Sequence, residues 1–207
     1  MIGLSLPDHV LEVVCVAAHP DDVEIGCGGL LLTLEGRARI RTVVLTGTGE
    51  RVDEARLAAK SFGVDSIDHH NLPDGRLPAH WDAVKQALSD AADPAPDLVL
   101  APRPDDSHQD HRLLGELVTT VWRDALVLHY EIPKWDGDLR PVNHYVALTP
   151  DEAHRKFRLL DECFPSQHSR DWWDEEMFLG LMRLRGIECR APYAEGYLVR
   201  KAVLHTR

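Results

Sequence analysis

An α/β fold is predicted for this chain: a parallel sheet flanked by helices on both faces, with a small C-terminal α+β extension. Three observations predict it. Strand-like and helix-like segments alternate from residue 10 to residue 130. The run at 10–16, Val-Leu-Glu-Val-Val-Cys-Val, has the length and apolar content of a strand buried on both faces. Directly behind it the chain turns through residues 17–29 into a helix-forming stretch, the strand–turn–helix unit from which Rossmann-like sheets are built.

Residues 30–35 read as a helix that stops at Gly36, suited to the left-handed conformation that closes helices. A second strand at 39–46 leads into Gly47-Thr48-Gly49. The Ala-rich stretch 53–62 is a helix ended at Gly63, and residues 66–71 form a short strand before the turn Leu72-Pro73-Asp74-Gly75. A helix at 80–91 precedes a proline-bracketed strand at 97–101, and a helix at 107–122 precedes a strand at 125–130. After Pro133 the alternation changes. A short strand at 144–148 is followed by Thr149-Pro150-Asp151-Glu152, a cap with proline at the first helical position, opening a helix to residue 163. Residues 174–184 are a further helix and 193–204 one or two edge strands. With no internal repeat and no low-complexity linker, residues 1–207 form a single domain.

Composition narrows the function. The chain carries 23 basic and 34 acidic side chains, a net charge of −11, which repels nucleic acid and anionic lipid. No stretch reaches the length of a membrane span, and the start has neither the basic nor the apolar region of a signal peptide. The four cysteines lack C-x-x-C spacing, which argues for reduced thiols and against a cysteine metal site. A cytoplasmic protein with a small-molecule partner is expected, and a homo-oligomer is allowed.

Of the 12 histidines, His9, His80, His154 and His205 read as surface positions, and His69-His70 as the end of a strand. Two groups differ because histidine is spaced with carboxylate: His19-Pro20-Asp21-Asp22, and Asp105-Asp106-Ser107-His108-Gln109-Asp110-His111. Both follow strand C-termini, so a parallel sheet would bring them to one edge. His19, Asp22 and His111 would supply two nitrogens and one carboxylate, a set that leaves a divalent zinc ion open for catalysis. The competing assignment is structural: Asp21 or Asp22 caps the following helix, and Ser107 with Asp110 is a weakened capping box.

Ala18-His19-Pro20-Asp21-Asp22, then Glu24-Ile25-Gly26-Cys27-Gly28-Gly29, then His108-Gln109-Asp110-His111 resemble the signatures of the zinc-dependent N-deacetylases of the LmbE-like (PIG-L) family. Weaker similarity extends along the chain, through Arg51-x-x-Glu54-Ala55, Leu72-x-Asp74-Gly75, Ser166-Gln167 and Tyr193-Ala194-Glu195-Gly196-Tyr197. The resemblance implies a metal-dependent hydrolase that removes an N-acetyl group from an amino sugar or its glycoside, releasing free amine and acetate. It implies His19, Asp22 and His111 as ligands of Zn2+ or another divalent transition metal. It also implies Asp21 as the base, a protonated His108 as the oxyanion partner, Asp110 as the residue that orients His108, and Arg51 as a substrate contact. Asp74 either hydrogen-bonds sugar hydroxyls or shapes the Asp-Gly turn. Trp135, Trp172 and Trp173 either stack on a sugar or belong to core or interface.

Three rival readings compete with this one. A dinucleotide-binding module fails because the third glycine of its fingerprint falls on Leu31, and the carboxylates of the turn would repel pyrophosphate. An amidase cleaving a larger amide conjugate would keep the same zinc site. A catalytically silent sugar- or metal-binding protein would need neither Asp21 nor His108.

Overall fold

The computed structural model describes residues 3–203, so the end of the last expected strand at Leu204, and His205, lie outside the described residues. The elements are β1 (Leu11–Ala17), α1 (Asp22–Thr33), β2 (Ala38–Thr46), α2 (Glu50–Ser61), β3 (Ser66–Leu72), α3 (Trp81–Asp90), β4 (Leu98–Pro102), α4 (Gln109–Val121), β5 (Leu126–Tyr130), β6 (His144–Leu148), α5 (Pro150–Cys163), α6 (Glu175–Cys189) and β7 (Tyr193–Leu198). The seven strands form one sheet in the order β3-β2-β1-β4-β5-β7-β6. The first five are parallel, and β7 and β6 are added antiparallel, β5 to β7 and β7 to β6. This is the expected α/β architecture.

The apolar run of β1 shows why such a sheet needs helices on both faces. Successive side chains of a strand point to opposite faces. Leu11, Val13, Cys15 and Ala17 enter a core shared with α1, α5 and Phe62, while Val14 and Val16 enter a second core with Val84 and Leu88 of α3 and Leu114 and Val118 of α4. Both sets are fully buried.

Helix α1 lies beneath the rest of the chain. Every residue from Asp22 to Leu32 is buried, consistent with a helix apolar around most of its circumference. Its glycines, expected on the turn, sit inside the helix instead. A Cβ at Gly26 would collide with the Tyr130 ring, at Gly28 with Phe62 and at Gly29 with Leu148, so these positions serve close packing rather than turning. One buried charge pair fastens this helix. Lys156 of α5 reaches Glu195 of β7 at 2.7 Å and donates to the Ile25 carbonyl at 2.6 Å. Glu195 accepts from the amides of Gly29 (2.6 Å) and Leu30 (2.8 Å) and from the Tyr197 hydroxyl (2.8 Å).

Two expectations need correction. Strand β7 is not at an edge; it is paired on both sides, and the edge position belongs to β6. Helix α6 runs past residue 184 to Cys189, because Gly186 is inside it, where a Cβ would meet the backbone of residues 191–193. The capped start of α5 is as expected, with Thr149 and Glu152 forming a reciprocal capping box.

Candidate metal and catalytic site

The parallel pairing of β1 with β4 puts the loops after both strands at one edge of the sheet. There the rings of His19, His108 and His111 come together, with centroids 4.8 to 5.2 Å apart.

The turn after β1 is set by Asp22. Its Oδ2 accepts from the amides of Ala18 (2.9 Å) and His19 (2.8 Å), so its carboxylate folds back onto the turn rather than capping α1. Asp21 holds the position before the helix with φ at 106°, a left-handed conformation uncommon outside glycine, and its side chain makes no capping bond. Such strain costs ~1–3 kcal/mol and persists where contacts fix it. Arg51 of α2 supplies them, donating through Nη2 to the Pro20 carbonyl and to Asp21 Oδ2 at 2.8 Å. At α4, His108 is the N-cap; its Nδ1 accepts from the Asp110 amide at 3.3 Å, where Ser107 was the expected alternative.

Among the described residues, two sets of side chains are close enough to hold a metal: His19 with Asp22 and His111, and His19 with His108 and Asp110. Prior engagement and spacing favour the first. In the second set, each Asp110 oxygen already accepts a backbone amide, from Gly75 (2.8 Å) and Leu77 (3.0 Å), and His108 Nδ1 accepts from the Asp110 amide, so much of the donor capacity of this set is used in holding the loops. In the first, His111 Nε2 lies 3.2 Å from His19 Nδ1 and 3.3 Å from Asp22 Oδ1. Tetrahedral ligands at about 2.0–2.1 Å from zinc lie roughly 3.3 Å from one another. The first set therefore fits a single divalent cation.

The outer nitrogens of both histidines face carboxylates. His111 Nδ1 lies 3.1 Å from Asp106 Oδ2, and His19 Nε2 lies 2.9 Å from Asp74 Oδ1, a contact not aligned as a hydrogen bond, and 3.6 Å from Asp110 Oδ2. Carboxylates in this position fix the tautomer that turns the inner nitrogen toward a metal. Asp106 is itself held. It accepts from the His108 amide at 2.7 Å and from Lys134 at 3.0 Å, and Lys134 also contacts Asp138 at 3.1 Å.

Without a cation, burial disfavours charge on both imidazoles, but the surrounding carboxylates together outweigh it: Asp22 with Asp106 raises His111 to about 9, and Asp22 with Asp110 and Asp74 raises His19 to about 12. Burial opposes charge on Asp22 too, yet the two histidines hold it well below the usual carboxylate range. Asp21 goes the other way: burial pushes it up to about 7, against the Arg51 guanidinium. Burial and the neighbouring His111 and His19 lower His108.

The structure thus brings together all eight sequence-derived site residues: His19, Asp21, Asp22, Arg51, Asp74, His108, Asp110 and His111. Three contacts differ from expectation. The Asp110 carboxylate bonds to the 75–77 turn rather than to His108, because the Asp74-Gly75 turn folds onto the start of α4. Arg51 is engaged with Asp21, and Asp74 with His19. Asp106, Lys134 and Asp138 were missed as site residues. A signal existed for Asp106, which lies five residues before a candidate ligand on the same loop; Lys134 and Asp138 come from beyond β5 and carry none.

Known proteins resemble this chain in sequence and in fold. Residues 14–122, just over half of the chain, match the family described as PIG-L: GlcNAc-PI de-N-acetylase. The uncharacterized deacetylase YaiS of Escherichia coli K12 is 29% identical over 145 residues, 63% of this chain and 78% of that protein. The diacetylchitobiose deacetylase of Thermococcus kodakarensis is 30% identical over 129 residues, 53% of this chain and 48% of that longer protein, so the matched segment spans about half of it. Among solved structures, the conserved protein TT1542 from Thermus thermophilus superposes with a TM-score of 0.77 at 23% identity, covering 95% of this chain and 98% of that one; this likeness concerns the fold.

Proposed function

Because the chain belongs to the PIG-L (GlcNAc-PI de-N-acetylase) family, we propose that it is a metal-dependent hydrolase that removes the N-acetyl group of an amino sugar or its glycoside. The observation that carries this reading is the convergence of three metal-ligand side chains, His19, Asp22 and His111, beside a carboxylate outside that set, Asp21. The diacetylchitobiose deacetylase similarity supports an N-acetylated sugar as the substrate class.

His19, Asp22 and His111 would hold the cation, and two nitrogens with one oxygen favour zinc. A divalent cation there would supply a Lewis acid for the amide carbonyl and would lower the pKa of a water molecule from about 16 to near 7. Asp21 takes the proton of the attacking water and passes one to the departing nitrogen. Its left-handed backbone, pinned by Arg51, holds the carboxylate outside the ligand set, and burial keeps it basic enough for the task. His108 stabilises the tetrahedral oxyanion. Since Nδ1 accepts from the Asp110 amide, the ring proton belongs on Nε2, and a neutral His108 is already a donor. The depressed pKa of this ring favours that neutral form over the protonated one expected from sequence.

An acetate-release screen over N-acetylhexosamine glycosides, with and without chelator, tests the assignment. Chelator-sensitive acetate release supports it. Release of a bulkier acid from a conjugated amide, with none of acetate, would point to the amidase alternative.

A further inference from the structure

The loop after β5 leaves the same sheet edge as His19 and His108, because β4 and β5 are parallel. Residues 134–138 of this loop are fastened to the site at two points. Lys134 donates to Asp106, the carboxylate behind His111, and Asp138 Oδ2 accepts from the Ser107 amide at 2.7 Å. Between them Trp135 is held out at the rim. Its indole N–H donates to Asp171 Oδ1 at 2.7 Å, its ring meets Trp172 edge-on at 6.2 Å, and the Arg170 guanidinium lies 6.0 Å from its centroid. The 170–172 segment follows residues that are themselves tied to α2, where Ser166 donates to Glu54, one turn beyond Arg51. Trp172 and Trp173 are spent on packing against Phe178, whereas Trp135 remains 64% exposed.

An exposed indole normally loses rotamer freedom on binding, but this ring is already ordered by three contacts and still open to solvent. An exposed indole with a carboxylate at its N–H and a guanidinium over one face matches a pyranose, whose C–H face is apolar and whose hydroxyls both donate and accept. We propose that Trp135, with Asp171 and Arg170, is the specificity-determining group of this chain, the contact that favours a substrate carrying a second ring over the free N-acetylhexosamine. The inference rests on the deacetylase reading and deepens it.

The test compares metal-loaded wild type, Trp135→Ala and Trp135→Phe on free N-acetylglucosamine and on N,N'-diacetylchitobiose by acetate release. The expected result is a lower KM for the disaccharide in wild type. Trp135→Ala then raises that KM by about three- to tenfold, with kcat and the free-sugar KM unchanged, and Trp135→Phe restores most of the difference. Equal kinetics for the two sugars, or no change in the disaccharide KM on Trp135→Ala, overturns the subsite. So does a shift in elution volume on Trp135→Ala, which would assign the ring to an interface between copies. Should wild type release no acetate from either sugar, the deacetylase reading fails by itself. Tryptophan fluorescence titrated with chitobiose then still decides the subsite: quenching present in wild type and lost in Trp135→Phe supports it, and quenching unchanged in Trp135→Phe overturns it.

Discussion

Asp106 Oδ2 stands 3.1 Å from Nδ1 of His111, on the side of the ring opposite Asp22. That contact leaves Nε2 with its lone pair turned to the candidate cation. Removing such a carboxylate typically weakens metal binding by about 10–100-fold. We expect Asp106→Ala to lose zinc affinity by that order in a chelator-competition titration. An affinity equal to wild type would show that packing alone orients His111.

Asp21 and Asp22 are adjacent but are assigned different tasks, and substitution separates them. Asp21→Asn keeps shape and the Arg51 contact while abolishing the base, so zinc content should stay near one equivalent and acetate release should fall by about a hundredfold or more. His111→Ala should lose the metal itself. Full turnover in metal-loaded Asp21→Asn would displace Asp21 as the base.

Proton linkage gives the metal-free chain a pH dependence of definite sign. Asp21, Glu24 and His111 all have pKa values raised in the folded state, to about 7, about 8 and about 9. Burial raises Asp21 and Glu24, whereas His111 rises because Asp22 and Asp106 outweigh burial. A raised group stabilises fully below its unfolded pKa and ceases to do so as pH rises through the folded one. Asp22 and Asp106 are shifted the other way and act only in strong acid, while His108 and His129, lowered by burial, oppose the fall only below about pH 6.5 and are outnumbered by the raised groups. The melting temperature of the metal-free chain should therefore fall from about pH 4 through pH 9 and, because His19 is raised to about 12, continue to fall above it. Zinc binding must deprotonate His111, so calorimetry near neutral pH in buffers of different ionisation enthalpy should report proton release. A flat melting curve with no proton release would contradict the charge assignment.

The Lys156–Glu195 pair lies in the fold's interior, and losing one member leaves the other buried and uncompensated. Lys156→Met should cost about 3–5 kcal/mol in urea unfolding. A cost under about 1 kcal/mol would mean that water reaches Glu195.

Much of this was legible in sequence where a signal is local. The run before His19, the cap at Thr149 and the spacing of His108 with His111 each encode structure within a few residues. The loops at one sheet edge followed from the parallel order of strands. What escaped depends on contacts across the chain. Glu195 stands in the matched stretch 193–197, but nothing near it in sequence gives it a partner until Lys156, 39 positions away, is brought beside it. The glycines of α1 resemble a turn because their reason, Tyr130 and Phe62, lies elsewhere in sequence. Asp110 was matched to its neighbour His108, whereas its partners are the backbone amides of residues 75 and 77, which no side-chain pattern marks.

The central claim is that one cation, held by His19, Asp22 and His111, makes this chain an N-deacetylase. Acetate release from N,N'-diacetylchitobiose by chelator-stripped protein, followed as zinc is added back, tests it most directly. The account predicts no release at the start and recovery that saturates at one equivalent. Release that persists in the stripped protein, or that never returns with zinc, would contradict it.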